Sequence, residues 1–395
     1  MLTKNYKKNI NIHYAFSFFK FLDCTQGIWM IYLAYRGLSL TELGILEGFF
    51  HLVSFTMEVP TGIIADLYGR KVSRLIGRIC SVISTLLMIF SSSFIGYLFA
   101  FAITALSYNL ESGSGEALVY DSLKLDGKSD EYMKVVGKEE VIYQVSAILA
   151  KLIGGYLATI AYKWAFYMTL VMGLISFVIG LFFEEPVISE KKAEIKSPFK
   201  SMKEQLEKSI QVIKNKPKIA AFIVLVEYIS TMNACFHYYL QNYWKLKGLS
   251  ELDMGIIFAV SGGVGAIVAM HTHKLEKKIG DKKLIALCSA VILIMALFIG
   301  WNSWTIVGYV GIMVFESALF IATSTYIQEL IPSEQRASII SLQSMAFSFM
   351  MIIAFPLVGK IAEIYSLEIS FKLISTVGAA GILFNYWILY GNKRK

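Results

Sequence analysis

The chain has 395 residues, of which 56% are apolar and only 17% are charged, and its mean hydropathy is +0.59. This composition excludes an ordinary soluble protein, because a soluble domain of this length could not bury so much apolar surface. The net charge of +8 would suggest nucleic-acid binding in a soluble protein, but here the basic residues collect in alternate loops between apolar stretches. We therefore expect a protein whose surroundings are a lipid bilayer and which binds no nucleic acid.

About twelve apolar stretches are long enough to cross a hydrocarbon core of about 30 Å as helices. In chain order they are residues 12–35, 42–66, 73–91, 94–122, 139–160, 163–183, 218–243, 251–272, 283–300, 304–329, 336–360 and 368–390. A polar, lysine-rich connector separates the sixth from the seventh. The sequence predicts an all-α membrane protein with a six-helix bundle at 1–183, a cytoplasmic linker at 184–217 and a second six-helix bundle at 218–395.

The basic residues also predict the orientation. They are concentrated before the first span, after the second and fourth, and in the connector at 184–217, whereas the loops at 91–94 and 301–304 have none. By the positive-inside rule, both termini and the connector are expected on the cytoplasmic side. We expect a multi-pass protein of a bacterial cytoplasmic membrane, a monomer, whose first apolar stretch is a genuine helix and not a cleaved signal peptide.

The four cysteines lie inside predicted spans without paired spacing: Cys24, Cys80, Cys235 and Cys288. This arrangement indicates packing residues and no disulfide or metal site. We expect no metal and no cofactor.

The loop after the second span reads GIIADLYGRK from Gly62 to Lys71. Here the chain resembles the major facilitator superfamily, whose signature between helices 2 and 3 is G-x-x-x-D-x-x-G-R-K. Gly62 is expected to allow close helix approach and Gly69 a tight turn, while Arg70 and Lys71 hold the loop at the headgroups. The alternative is that the basic residues of this loop, with Arg74, only set the membrane topology.

The resemblance implies that Asp66 contacts the start of helix 11, here Ser333 to Arg336, and that the loop is a conformational latch. A carboxylate is favourable at the positive N-terminus of a helix. Drug–proton antiporters of this superfamily carry R-x-x-x-G-x-G on helix 4 and G-P-x-x-G-G on helix 5. The chain keeps these glycines but has Asn109 in place of the arginine and Lys151 in place of the proline.

Acidic residues occur near the middle of several predicted spans, where each needs a partner or a function. They are Asp23 in span 1, Glu111 and Glu116 in span 4, Glu227 in span 7 and Glu316 in span 10. The resemblance implies that helices 1, 4, 7 and 10 line the transport cavity. The five acids are therefore candidate sites for a cationic substrate or a coupling proton.

We expect Glu111 and Glu227 to be the main proton-binding pair. Alternatively, some of these acids are held in structural ion pairs, for instance with Lys151, which could also bind an anionic group of the substrate. The sequence thus predicts a secondary active transporter that works by alternating access, with proton-coupled efflux of a small hydrophobic or cationic compound as the preferred function.

Other functions compete with this prediction. Proton-coupled uptake of a nutrient is the alternative within transport, and a membrane sensor that binds a solute without moving it is the alternative outside it. An intramembrane protease is disfavoured, because no nucleophile and base occur at a spacing that would support catalysis. We expect the chain not to be an enzyme.

Overall fold

The structure is a computed structural model that describes residues 6–186, 207, 214, 217–301, 304–330 and 336–390. Within these ranges it contains thirteen α-helices and one short 3₁₀ helix at Ser129–Glu131. The predicted all-α fold is therefore confirmed. Most of the predicted linker at 184–217 and residues 333–335 lie outside the described residues.

Seven helices form the N-terminal part of the chain, and their order follows the predicted spans. They are α1 at Lys7–Phe21, α2 at Trp29–Tyr35, α3 at Leu40–Tyr68, α4 at Arg70–Phe90, α5 at Phe94–Leu125, α6 at Tyr132–Ile160 and α7 at Tyr162–Gly180. Local signals fix some of their ends. Ser93, for example, precedes α5 and its hydroxyl accepts the backbone N–H of Gly96 at 3.2 Å, which satisfies one of the free donors of the first turn.

Six helices follow in the C-terminal part. They are α8 at Pro217–Leu246, α9 at Glu251–Ile279, α10 at Asp281–Trp301, α11 at Thr305–Leu330, α12 at Arg336–Ile364 and α13 at Leu367–Tyr390. Eleven helices of the described chain, α3 to α13, are long and apolar enough to cross a membrane.

The first predicted span, 12–35, is not one continuous helix, which corrects the prediction. It is split into α1 and α2, and residues 22–28 between them are not helical. The side chain of Asp23 accepts both the backbone N–H and the hydroxyl of Thr25, at 3.0 and 2.6 Å. Such a local side-chain hydrogen bond competes with helical backbone pairing, and hydropathy alone cannot reveal it.

The chain divides into two compact units. The first comprises Met1–Trp29, Phe49–Met202 and Ser250–Gly255; the second comprises Met30–Gly48, Lys203–Leu249 and Ile256–Lys395. In the first unit α4 packs against α5 and α7, and α1 packs against α6 and α7. In the second, α10 packs against α11 and α13, and α8 packs against α12 and α13. The division into bundles at 1–183 and 218–395 stays a prediction.

Candidate functional site

Glu111, one of the predicted cavity acids, lies in the interior of the first unit between two basic side chains. Its carboxylate accepts a hydrogen bond from Arg78 Nε, and Lys20 Nζ lies 3.0 Å from its Oε2 atom. The residue is only 2% exposed. Glu111 is thus held by two ion pairs, and the partners are Lys20 and Arg78 instead of the suggested Lys151.

Arg74 lies one helical turn before Arg78 on α4 and is also buried, at 2% exposure. Its guanidinium stacks on Phe16 and Phe183, with its carbon 4.2 and 4.8 Å from the two ring centres. Its Nη1 atom donates to His13 Nδ1 at 3.1 Å. The interpretation of Arg74 as a loop charge that only sets topology is therefore wrong, because its side chain is enclosed by protein.

We did not predict the charged interior of the first unit from the sequence, although the spacing of its basic residues indicated it. Arg70, Arg74 and Arg78 occur at every fourth position, which places them on one face of a helix. A face with three arginines cannot look at lipid and requires acidic or polar partners on neighbouring helices. Lys20 inside the first predicted span was a second such signal.

The two acids of the second unit have a different environment. The Nε2 atom of Gln343 lies 3.5 Å from Glu227 Oε1, at the long end of the hydrogen-bond range. Asn233 Nδ2 donates to the carboxylate of Glu316. Among the side chains that the structure describes, neither acid forms an ion pair, and the two lie on helices that pack together, α8 and α11. Each carboxylate therefore has a neutral amide as its partner.

Asp23 has a local, hydroxyl-rich setting at the break between α1 and α2. Besides its contacts to Thr25, its Oδ1 atom accepts from the Thr169 hydroxyl of α7 at 3.2 Å. A Cβ atom on Gly154 of α6 would collide with the carbonyl oxygen of Cys24 beside it. Asp23 therefore stabilises the break, and Gly154 lets α6 approach it.

Glu116 and Lys151 do not join the clusters described above. Glu116 lies in the last third of α5 and is exposed. Lys151 is half-buried on α6, and within the described ranges it has no ion-pair partner. The structure therefore leaves Lys151 as a single basic group inside a span.

The signature loop between α3 and α4 is held by acidic side chains. Arg70 Nη1 donates to Asp66 Oδ1 at 2.5 Å, and Arg70 Nε lies 3.9 Å from Asp121 Oδ2 on α5. The backbone N–H groups of Arg70 and Lys71 both donate to the carboxylate of Glu185, each at 2.7 Å. Glu185 therefore caps the first turn of α4, where a carboxylate is electrostatically favourable.

The structure requires a glycine at position 69, whereas the described residues impose no such requirement at position 62. Gly69 has φ +100° and ψ 159°, a conformation that is essentially restricted to glycine. A Cβ atom there would also stand 2.6 Å from the carboxyl carbon of Glu185. For Gly62, the described part of the chain has no atom within 4 Å of such a Cβ, so the predicted close approach is not formed there.

Two further predictions for this loop concern the contacts of Lys71 and Asp66. Lys71 Nζ donates to the carbonyl oxygen of Leu181 at 2.8 Å, so this ammonium is bound to protein. The proposed partner of Asp66 at the start of helix 11 lies outside the described residues, apart from the backbone of Arg336. Among the described residues, Asp66 pairs with Arg70, four residues along the chain, and its contact to helix 11 stays a prediction.

The sequence of this chain is similar to those of known membrane transporters. The model of the Major Facilitator Superfamily matches residues 21–314 and 277–395. The uncharacterized MFS-type transporter YxaM of Bacillus subtilis is 26% identical over 283 residues, covering 71% of this chain and 70% of that protein. The quinolone resistance protein NorA of Staphylococcus aureus is 25% identical over 297 residues, covering 74% of this chain and 71% of that protein.

Solved structures show the same fold. A crystal structure of the nucleoside transporter NupG, in a mutant form, superimposes with a TM-score of 0.79, covering 98% of this chain and 99% of that one at 15% identity. At that identity the likeness concerns the fold alone. With the family model matching most of its length, the chain belongs to the Major Facilitator Superfamily and is a multi-pass membrane transporter of small molecules.

Proposed function

We propose that the chain is a proton-driven exporter of hydrophobic or cationic compounds, in which Glu227 and Glu316 bind the coupling proton. The observation that carries this proposal is the contrast between the two units. Glu111 is neutralised by Lys20 and Arg78, whereas Glu227 and Glu316 have amide partners.

Amide partners suit a group that must gain and lose a proton. A primary amide can donate its N–H to an ionised carboxylate or, after rotation, accept the O–H of the protonated acid. Arginine and lysine can only donate, so they stabilise the ionised form alone. Glu111 accordingly has a structural role in the proposal, and Asp23 stabilises the helix break.

Mutual repulsion between Glu227 and Glu316 provides the coupling. Two nearby carboxylates in a poorly hydrated site are less stable when both are ionised than when one of them is neutralised. A proton or the positive group of a substrate can supply that neutralisation. Because the two compete for the same negative charge, proton entry favours substrate release, which is the requirement for antiport.

Export is supported by the similarity to a quinolone resistance protein. We place the transporter in the bacterial cytoplasmic membrane as a monomer with both termini inside. The bundles at 1–183 and 218–395, joined by the linker at 184–217, rock about a binding site at mid-membrane. Glu116 and Lys151 remain candidate substrate contacts in this proposal.

The signature loop serves as the conformational latch. Its ion pair between Asp66 and Arg70, extended to Asp121, and the cap from Glu185 hold the ends of α3, α4 and α5 together. Gly69 permits the turn, and Lys71 fastens it to the end of α7. Opening and closing of these contacts would accompany alternating access.

Flux measurements in vesicles test the proposal. Purified protein is reconstituted into liposomes, and movement of a fluorescent quinolone is followed with and without an imposed pH gradient. We expect gradient-dependent quinolone flux in the wild type and its loss in Glu227→Gln and Glu316→Gln, because glutamine keeps the hydrogen bonds but binds no proton. Glu140→Gln is the matched control, since Glu140 is exposed and contacts Gln144 of its own helix.

The same vesicles distinguish the alternatives. Gradient-driven accumulation of a nucleoside in place of the quinolone would favour the uptake alternative. Retention of the full pH response in both glutamine variants would refute the assignment of the proton to Glu227 and Glu316.

A further inference from the structure

His13, Arg74 and Glu139 form a chain of contacts that ties three helices of the first unit, and we refer to it as the histidine clasp. His13 lies on α1, Arg74 on α4 and Glu139 on α6. His13 is 1% exposed. Its Nδ1 atom lies 3.1 Å from Arg74 Nη1, and its Nε2 atom lies 3.0 Å from Glu139 Oε2. Neither the signature loop nor the proposed proton site includes these contacts.

The donors in the clasp determine which nitrogen of His13 carries its proton. A guanidinium has no acceptor, so Arg74 must donate and His13 Nδ1 must accept with its lone pair. The ring proton therefore resides on Nε2, where it faces the carboxylate of Glu139. The ring is therefore read as the neutral imidazole, with Nδ1 as the acceptor for Arg74 and Nε2 in close contact with the carboxylate of Glu139.

A second proton on His13 would be incompatible with half of this arrangement. It would sit on Nδ1 and point at the N–H group of Arg74, replacing a hydrogen bond with a repulsive contact between two donors. The contact to Glu139 would meanwhile gain a full charge. Protonation thus breaks the hydrogen bond between α1 and α4 and strengthens the contact between α1 and α6.

The other charged and titratable groups near His13 do not remove this conflict. Lys20 on α1 adds positive charge, and its ammonium is paired with Glu111 of α5. Glu139 is further bound by the Ser17 hydroxyl at 3.1 Å, and the ring of Tyr14 lies 6.2 Å from the His13 ring, centre to centre. Arg74 retains its stacking on Phe16 and Phe183 but has no other hydrogen bond among the described residues.

We propose that His13 is a second proton-binding site, separate from Glu227 and Glu316, and that it acts as a pH switch on α4. Neutral His13 adds a hydrogen bond between α1 and the first turns of α4, and protonated His13 loosens these turns while Arg74 stays stacked on Phe16. Arg74 lies one turn from Arg70, so the loosened turn is the one that carries the end of the signature loop.

Hydrogen exchange tests this switch without any substrate. Protection factors of the amides at residues 73–78 of α4 are measured on purified full-length protein at about pH 7.5 and about pH 4.5, a range that extends below the ordinary histidine titration because burial disfavours the charged imidazole. The amides at residues 284–288 of α10 serve as the internal reference. In the wild type, we expect protection of the α4 amides to fall about tenfold at the lower pH, as for the loss of one hydrogen bond to a charged group.

His13→Asn separates the switch from general acid effects. The asparagine Oδ1 atom takes the place of Nδ1 as an acceptor for Arg74 and does not titrate, so the protection of α4 should not change between the two pH values. His271→Asn is the matched control, because His271 is exposed and bonds to a carbonyl of its own helix, and it should behave like the wild type. A second variant, Glu139→Gln, keeps His13 but removes the carboxylate that receives the imidazolium, and should move the loss of protection to a lower pH.

Two results would overturn the proposal. One is a wild type whose α4 protection is the same at both pH values. The other is a His13→Asn variant that folds and loses as much protection as the wild type. Because no transport is measured, either result leaves the proposed exporter function unaffected, and failure of quinolone flux would leave the switch unaffected.

Discussion

Replacing Glu111 by glutamine should destabilise the first unit substantially. Glutamine keeps the size of the side chain but removes the negative charge that faces Arg78 and Lys20. Removing one partner of a buried ion pair costs about 3–5 kcal/mol, because the remaining charge is left unpaired. The side chain of Lys20 is 22% exposed and that of Arg78 is 9% exposed, so most of the cost should come from Arg78. We expect a loss of about 3 kcal/mol in the free energy of unfolding.

Equilibrium unfolding in mixed micelles, followed by the loss of helical circular dichroism, measures this effect. The double variant Glu111→Gln/Arg78→Met removes both members of the pair. Its loss in the free energy of unfolding should be smaller than the summed losses of the two single variants by about 1–3 kcal/mol, the usual coupling energy of contacting residues. Glu140→Gln, at an exposed position of α6, should stay within about 0.5 kcal/mol of the wild type.

One result would refute the reasoning about Glu111. If Glu111→Gln unfolded like the Glu140→Gln control while abolishing the response of transport to a pH gradient, Glu111 would be a proton carrier. The ion pairs with Lys20 and Arg78 would then have no structural importance.

Two further predictions concern the start of α4. Gly69→Ala should lower the free energy of unfolding by about 1–3 kcal/mol or more, since a φ of +100° disfavours any side chain and Glu185 fills the space that a Cβ would need. Gly127→Ala is the control: its φ is +72°, but no described atom lies within 4 Å of an added Cβ, so this variant should lose less stability. Glu185→Gln should cost about 1 kcal/mol in the same unfolding assay through the weakened cap, and less in high salt. Equal losses for the two alanine variants would contradict the steric argument, and a salt-independent effect of Glu185→Gln would contradict the electrostatic one.

Many features of this protein follow from local sequence. Stretches of about 20 apolar residues determine the spans, because a helix of that length matches the bilayer and satisfies its own backbone. The glycines and charges from Gly62 to Lys71 identified the family, since a sharp turn after a span needs Gly69 at its particular φ. These inferences depend on residues a few positions apart, so no knowledge of distant contacts was required.

The pairing of charges depends on contacts between residues far apart in the chain. Glu111 and Glu227 looked equivalent as acids within spans, yet the first meets Lys20 and Arg78 and the second meets Gln343. The cap from Glu185, 115 residues from Arg70, was hidden for the same reason. The break at Asp23 was hidden for another reason, because hydropathy does not register the local hydrogen bond between Asp23 and Thr25.

The sequence by itself therefore determined a helical membrane protein, because apolar length and turn chemistry are local properties, and its signature loop carried the resemblance to a family of transporters. Only the tertiary structure decided which acids are neutralised, which are paired with amides, and that His13 joins Arg74 to Glu139. A charge inside a membrane takes its role from the groups packed against it, and helix packing brings those groups from distant parts of the chain.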